Sequence, residues 1–188
     1  MANVLMICGH PDPEHSLAGS AILEALLKSR PQAQVRVLSE LCGAGGFDVA
    51  AEQKALAGAD VLVWQFPLYW YTVPAVMKAW FEQVLTYGFA FGSGGTALKG
   101  KKVIISLTAG ADAEQYVEGG AMGFPMEAFL PPILQTARLC SMDVAGSVWM
   151  TGASYIEGVH APKVKTDIEE RARLHAARLV EVLEKVGA

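Results

Sequence analysis

Four stretches of this chain, residues 4–8, 60–66, 101–108 and 144–150, are short, largely apolar runs rich in β-branched residues, and segments of helical period lie between them. An apolar run without polar alternation belongs to a strand buried on both faces, and such strands form parallel sheets covered by helices on each side. A fifth run, 34–38, alternates apolar with polar and fits a sheet edge. In chain order these five are β1 (4–8), β2 (34–38), β3 (60–66), β4 (101–108) and β5 (144–150). Right-handed crossovers then predict a doubly wound α/β sheet, for which five strands suggest the order 2-1-3-4-5, in one domain over residues 1–188.

The helical segments carry their own signals. Ser16 is placed to cap a helix with Ile22, Leu23, Leu26 and Leu27 on one side, stopped by Pro31. Asp48 caps a short helix over 50–57. From Pro74 to near Gly88, Val76, Met77, Trp80, Phe81, Val84 and Leu85 form one face, with Lys78, Glu82 and Gln83 turned away. A helix over 126–140 follows its prolines, and Pro162 opens a last one with the stripe Val164, Ile168, Ala172, Leu179, Leu183 and Val186. The glycine-rich segment 42–46 lacks dinucleotide-fingerprint spacing and reads as a flexible connection. Residues 89–99 read as a loop with a mobile tip, and 109–124 as a long loop of the kind that serves as a ligand lid.

Composition narrows the function. Fifteen basic against nineteen acidic residues give a net charge of −4, so no basic stripe is available for a nucleic acid. Cys8, Cys42 and Cys140 are odd in number and widely spaced, which argues against a disulfide framework or a zinc site and suits a reducing cytosol. No metal-ligand spacing occurs among the four histidines. The start of the chain lacks a basic leader, and the uncharged run 61–77 is broken by Gln65, Pro67 and Pro74. A soluble, cytoplasmic protein is expected.

In sheets of this order, ligands bind beyond the carboxyl ends of the strands, at the β1/β3 switch point. Three loops meet there. The first runs from His10 to Ser16 and into Leu17, Ala18 and Gly19. Free N–H groups at a helix N-terminus, with the Ser16 hydroxyl, suit a phosphate. His10 directly follows the strand end, whereas His15 reads as an ordinary surface residue. The second loop follows Pro67 with Leu68, Tyr69, Trp70 and Tyr71; three adjacent aromatics cannot all enter one core, so at least one faces a ligand or partner. Backbone N–H groups around 68–71 suit the polar edge of a flat heterocycle. Trp64, Trp80 and Phe81 are expected in the core or at a subunit interface. The third loop, Thr108, Ala109, Gly110 and Ala111 with Tyr116 beyond, has small residues that admit a ring and two hydroxyls.

Other chemistries on such a sheet lack their residues. There is no acidic pair after β1, no Walker A loop and no nucleophile elbow. Cys8 lies inside an apolar strand and reads as structural, and His160 and His175 look incidental.

The residues also carry a likeness: His10-Pro with Ser16 downstream, Ala50-Ala-Glu-Gln53, Ala59-Asp60, Gln65-x-Pro-x-x-Trp-Tyr71, Pro74, Lys78, Trp80, Tyr87-Gly-Phe-Ala-Phe-Gly92, Gly94-Gly-Thr-Ala-Leu98 and Gly100-Lys101. With these the chain resembles the flavodoxin-like NAD(P)H:quinone oxidoreductases, and among them the KefF-type ancillary flavoproteins of glutathione-gated potassium efflux systems. The resemblance covers roughly the first 140 residues. It implies a flavodoxin-like three-layer α/β sandwich, a homodimer, noncovalent FMN (alternatively FAD), and two-electron reduction of a quinone by NAD(P)H in ping-pong order. It places the flavin phosphate at His10 and Ser16 to Gly19, and the isoalloxazine between Leu68 to Tyr71 and Thr108 to Ala111. Tyr116 matches a catalytic tyrosine that elsewhere pairs with a histidine; that second position is Met122 here. A further departure is Thr108-Ala-Gly-Ala111 where relatives carry Thr-Thr-Gly-Gly.

Two other readings remain open at this stage. One is a regulatory subunit docked on a membrane antiporter, peripheral to the inner face of the membrane. The other is an electron carrier, against which the mild charge of −4 argues.

Overall fold

The apolar runs pair as one parallel sheet in the order β2-β1-β3-β4-β5, as expected. The computed structural model describes residues 2–188. Its strands are β1 (Val4–Cys8), β2 (Gln34–Val37), β3 (Val61–Pro67), β4 (Lys102–Thr108) and β5 (Asp143–Met150). β2 and β5 are the edges and are only partly buried, while β1 and β3 are buried along their whole length.

Alternation along β3 and β4 feeds two cores. Trp64, Phe66, Ile105 and Leu107 pack with Leu56, Met77, Trp80 and Phe81 on one face. Met6, Val63 and Ile104 pack with Ile22, Leu26, Ile168, Leu179 and Leu183 on the other. The second face is covered by α1 (Leu17–Ser29) and the long C-terminal α6 (Pro162–Lys185). The first is covered by α3 (Val49–Gly58), α4 (Ala75–Val84) and α5 (Pro131–Leu139), with the four-residue α2 (Leu38–Leu41) after β2. Trp64, Trp80 and Phe81 are therefore core residues.

Several local expectations need correction. α4 stops at Val84, short of Gly88, and Gln83 is not turned away: its Oε1 accepts the Phe47 N–H at 3.0 Å. The 126–140 segment divides into a 3-10 turn, Met126–Phe129, and α5, because Pro131 sits at the first helical turn, where its missing N–H costs nothing. The 42–46 segment is a closed turn, with Gly43 and Gly46 exchanging two backbone bonds of 3.0 Å. The 89–99 loop is folded onto the core by buried Ala90 and Leu98. His175, expected to be incidental, is fully buried on the inner stripe of α6.

Candidate ligand-binding site

The three loops meet because the strands that launch them are in register. Cys8 lies opposite Gln65, Pro67 opposite Thr108, and Thr108 opposite Met150. Each loop begins with a backbone bond to its neighbour: Gly9 N–H to Gln65 O (2.7 Å), Leu68 N–H to Thr108 O (2.7 Å) and Ala109 N–H to Met150 O (2.8 Å). Gly9 is required at its position, since a Cβ there would stand 2.7 Å from Met77 Sδ.

Behind the first loop is a cavity of about 40 Å³ bounded by His10, Ser16, Gly19, Gln65, Pro67 and Thr108. Ser16 is the N-cap of α1, yet its hydroxyl makes no capping bond. At 9% exposure it is left beside the cavity. The N–H groups of Leu17, Ala18 and Gly19 belong to the first helical turn and have no intrahelical acceptor. Ala18 packs its methyl group into the core, and the Leu17 side chain lies along a different groove beside Glu14 and Glu24, so these two offer only backbone.

His10 Nδ1 accepts the Asp12 N–H at 3.0 Å, which leaves the ring proton on Nε2, 3.4 Å from the Tyr69 hydroxyl. Burial lowers the His10 pKa, with the Asp12 charge opposing. At neutral pH His10 is therefore an uncharged donor rather than the cation a dianion would favour. His15 is exposed, lies outside the cavity, and pairs with Asp12 at 2.9 Å, which raises its pKa.

The aromatic loop is a tight turn in which Tyr69 and Thr72 exchange two backbone bonds of 3.0 Å. Its central residues Trp70 and Tyr71 have φ of 49° and 64°. This is the conformation that hairpins usually assign to Asn-Gly, so two bulky residues here carry strain. Trp70 is 92% exposed. Tyr71 stacks on Phe129 with centroids 5.4 Å apart, and Tyr116 and Phe124 meet the same ring edge-on at 6.1 and 6.3 Å. Thus Tyr71 and Tyr116, distant in sequence, are joined through Phe129. The N–H groups of Leu68 and Tyr69 are used within the protein, contrary to expectation. Among the described residues, those of Trp70 and Tyr71 have no acceptor.

Tyr116 is buried, and burial first, then Tyr71, raises its pKa. It is a neutral hydroxyl at physiological pH. It also lines a second cavity, about 640 Å³, with Trp149, Arg171 and Arg178.

Thr108 and Ala109 are buried. Ala109 and Ala111 carbonyls accept N–H groups of Ala153 (2.9 Å) and Gly152 (2.7 Å), so the loop after β5, which no sequence signal singled out, backs the third loop. Arg171 holds that loop through Thr151 O (3.1 Å) and Gly152 O (2.8 Å). Gln65 was also missed as a wall of the cavity; the signal available for it was a polar residue inside an apolar strand. The described residues contain no group of three His, Cys, Asp or Glu able to hold a metal.

The family model for the flavodoxin-like fold matches residues 2–179. The ancillary protein KefF of the glutathione-regulated potassium-efflux system of Klebsiella aerogenes is 40% identical over 139 residues, covering 74% of this chain and 77% of that protein. Among solved structures, general stress protein 14 of Treponema denticola in complex with FMN superposes with a TM-score of 0.83 at 33% identity, over 96% of this chain and 99% of that one. An NADPH-quinone reductase from P. pentosaceus does so with a TM-score of 0.72 at 25% identity, over 93% and 97%.

Proposed function

This chain belongs to the flavodoxin-like fold family, and from that premise we propose that it is a flavin-dependent oxidoreductase passing electrons from NAD(P)H to a quinone. The observation that carries this reading is the cavity at the start of α1, lined by Gly19 and by Ser16 with its unused hydroxyl, at a first helical turn whose N–H groups have no intrahelical acceptor. Its walls include no carboxylate, and its donors suit a phosphate. The FMN complex of general stress protein 14 favours FMN over FAD. The FMN complex, the quinone reductase and the KefF relative support the same reading.

A bound flavin supplies reversible hydride transfer. The protein's part is to hold and orient it. His10 and Ser16 to Gly19 bind the phosphate end; Pro67, Leu68 and the turn Tyr69, Trp70, Tyr71 flank the ring system. The N–H groups of Gly110 and Ala111, in a loop begun by buried Thr108 and Ala109, face its polar edge. Tyr116, lacking the partner histidine where Met122 stands, contributes one neutral hydroxyl as a hydrogen-bond donor. NAD(P)H and quinone use one slot beside Tyr71 in turn, so initial-rate plots should be parallel, and intersecting plots would exclude the shared slot. Residues 1–188 act as one flavin-binding domain, in a cytoplasmic homodimer.

The purified protein should be yellow, release FMN, and bleach on NADPH addition without a separate reductase. A colourless protein that neither FMN nor FAD reconstitutes overturns the reading. The KefF relative favours a second role, docking on a potassium efflux antiporter at the inner face of the membrane. Co-purification with such an antiporter tests it; no helix among the described residues is long and apolar enough to cross a membrane.

A further inference from the structure

Gln65 on β3 and Ser106 on β4 lie opposite one another. Alternation turns both toward the face covered by α1 and α6, where their neighbours are apolar. Gln65 is 5% exposed and Ser106 is fully buried. A polar pair in such a place is costly unless its bonds are made, so the direction of those bonds matters. The Ser106 hydroxyl donates to Gln65 Oε1. With its one proton so given, it accepts from His175 Nε2, 2.7 Å away, in the tautomer that carries the ring proton there and leaves the unpartnered Nδ1 bare. The chain His175 to Ser106 to Gln65 thus fixes the amide with Oε1 inward. Nε2 has no acceptor among the described residues, nor is it a sealed, unpaired atom, because Gln65 forms a wall of the cavity beside Ser16 and Gly19.

We propose that Gln65 Nε2 is a donor to a phosphate monoester in the cavity at the start of α1, and that Ser106 and His175 are positioning residues that hold the amide for it. The inference rests on the flavin reading for the identity of the phosphate-bearing molecule. Its basis is independent: a nine-tenths buried amide with an unused N–H beside a helix N-terminus whose capping hydroxyl is also unused. The Gln65 N–H and the first-turn N–H groups can only donate, and the Ser16 hydroxyl can join them, which suits an anion better than a neutral ribityl chain.

The test titrates the apoprotein, prepared from the purified full chain, with FMN and with riboflavin, which lacks the phosphate, using inorganic phosphate as competitor. Gln65→Met should weaken FMN by about 10-fold or more while riboflavin changes by less than about 3-fold, as befits a hydrogen bond to a charged group. His175→Leu should weaken FMN selectively, and His175→Gln, which keeps an N–H for Ser106, should restore it. Equal effects on both flavins, or none, overturn the assignment. If the wild type binds neither flavin but binds inorganic phosphate in a Gln65-dependent way, the donor stands and the flavin reading falls; if it binds none of the three, both fall. A measurement needing no variant uses the histidine-labelled wild type. Nitrogen NMR should find the His175 proton on Nε2, whereas a proton on Nδ1 would reverse the chain, aim Oε1 at the cavity and overturn the proposal.

Discussion

His175 Nε2 stands 2.7 Å from Ser106 Oγ, tying the last helix to the middle of the sheet through a histidine with no exposed surface. Burial, and next the charge of Arg178, lower the His175 pKa to about 4. In the unfolded chain it is about 6.5. Between those values the unfolded state binds the proton and the folded state does not. The contribution of neutral His175 to stability is therefore complete above about pH 7, falls as the pH drops through 6.5, and levels off near 4. The span corresponds to about 3 kcal/mol. Urea unfolding at pH 7.5 and pH 5 should show the loss in the wild type and a flatter dependence in His175→Gln.

Glu52 is 2% exposed, pairs with Arg36 and accepts the Trp80 indole N–H at 3.0 Å. Removing Arg36 leaves a buried carboxylate without its counter-charge, held by the Trp80 N–H alone. Arg36→Met should destabilise by about 3–5 kcal/mol, and pairing it with Glu52→Leu should recover most of that. Chemical denaturation of the two variants checks this, and equal losses in both would show that the ion pair itself, rather than the stranded carboxylate, sets the cost.

How far the sequence predicts the molecule depends on where each signal arises. The strands follow from uninterrupted apolar runs, and the order that five such strands take in a doubly wound sheet brings loops 9–16, 67–72 and 108–116 together. His175 was visible only as a position: it lies three residues after Ala172 and four before Leu179, on the buried stripe, but its polar type pointed outward. Gln65 and Ser106 interrupt apolar strands, and their adjacency needs the β3–β4 register. The stacking of Tyr71 on Phe129 and the loop after β5 depend on tertiary approach, which no local pattern carries. The use of the Leu68 and Tyr69 N–H groups inside the protein likewise follows from strand pairing and a tight turn.

Trp70 holds a φ of 49° with 92% of its surface exposed, so it bears the cost of a left-handed backbone without burial to offset it. Asn tolerates that conformation. Trp70→Asn should stabilise the protein by about 1 kcal/mol, raising the midpoint of thermal unfolding by about 2–4 °C. A calorimetric scan of the apoprotein measures this. A lower midpoint would mean that Trp70 is held by packing against another chain.

Gly19 and Ser16 set a sharper test of the cavity. A Cβ at residue 19 would collide with Ser16 Oγ. Gly19→Ala should therefore push the hydroxyl away while improving intrinsic helix propensity by about 1 kcal/mol. Stability should hold or rise, yet FMN affinity should fall by about 10-fold, the loss expected for one hydrogen bond to a charged group. Ser16→Ala removes the same hydroxyl directly and also relieves the collision. The double variant should then bind FMN about as well as Ser16→Ala alone, a non-additivity expected when two substitutions act through one atom. Fully additive losses would mean that Gly19 is needed for its own backbone approach to the phosphate, with Ser16 acting separately.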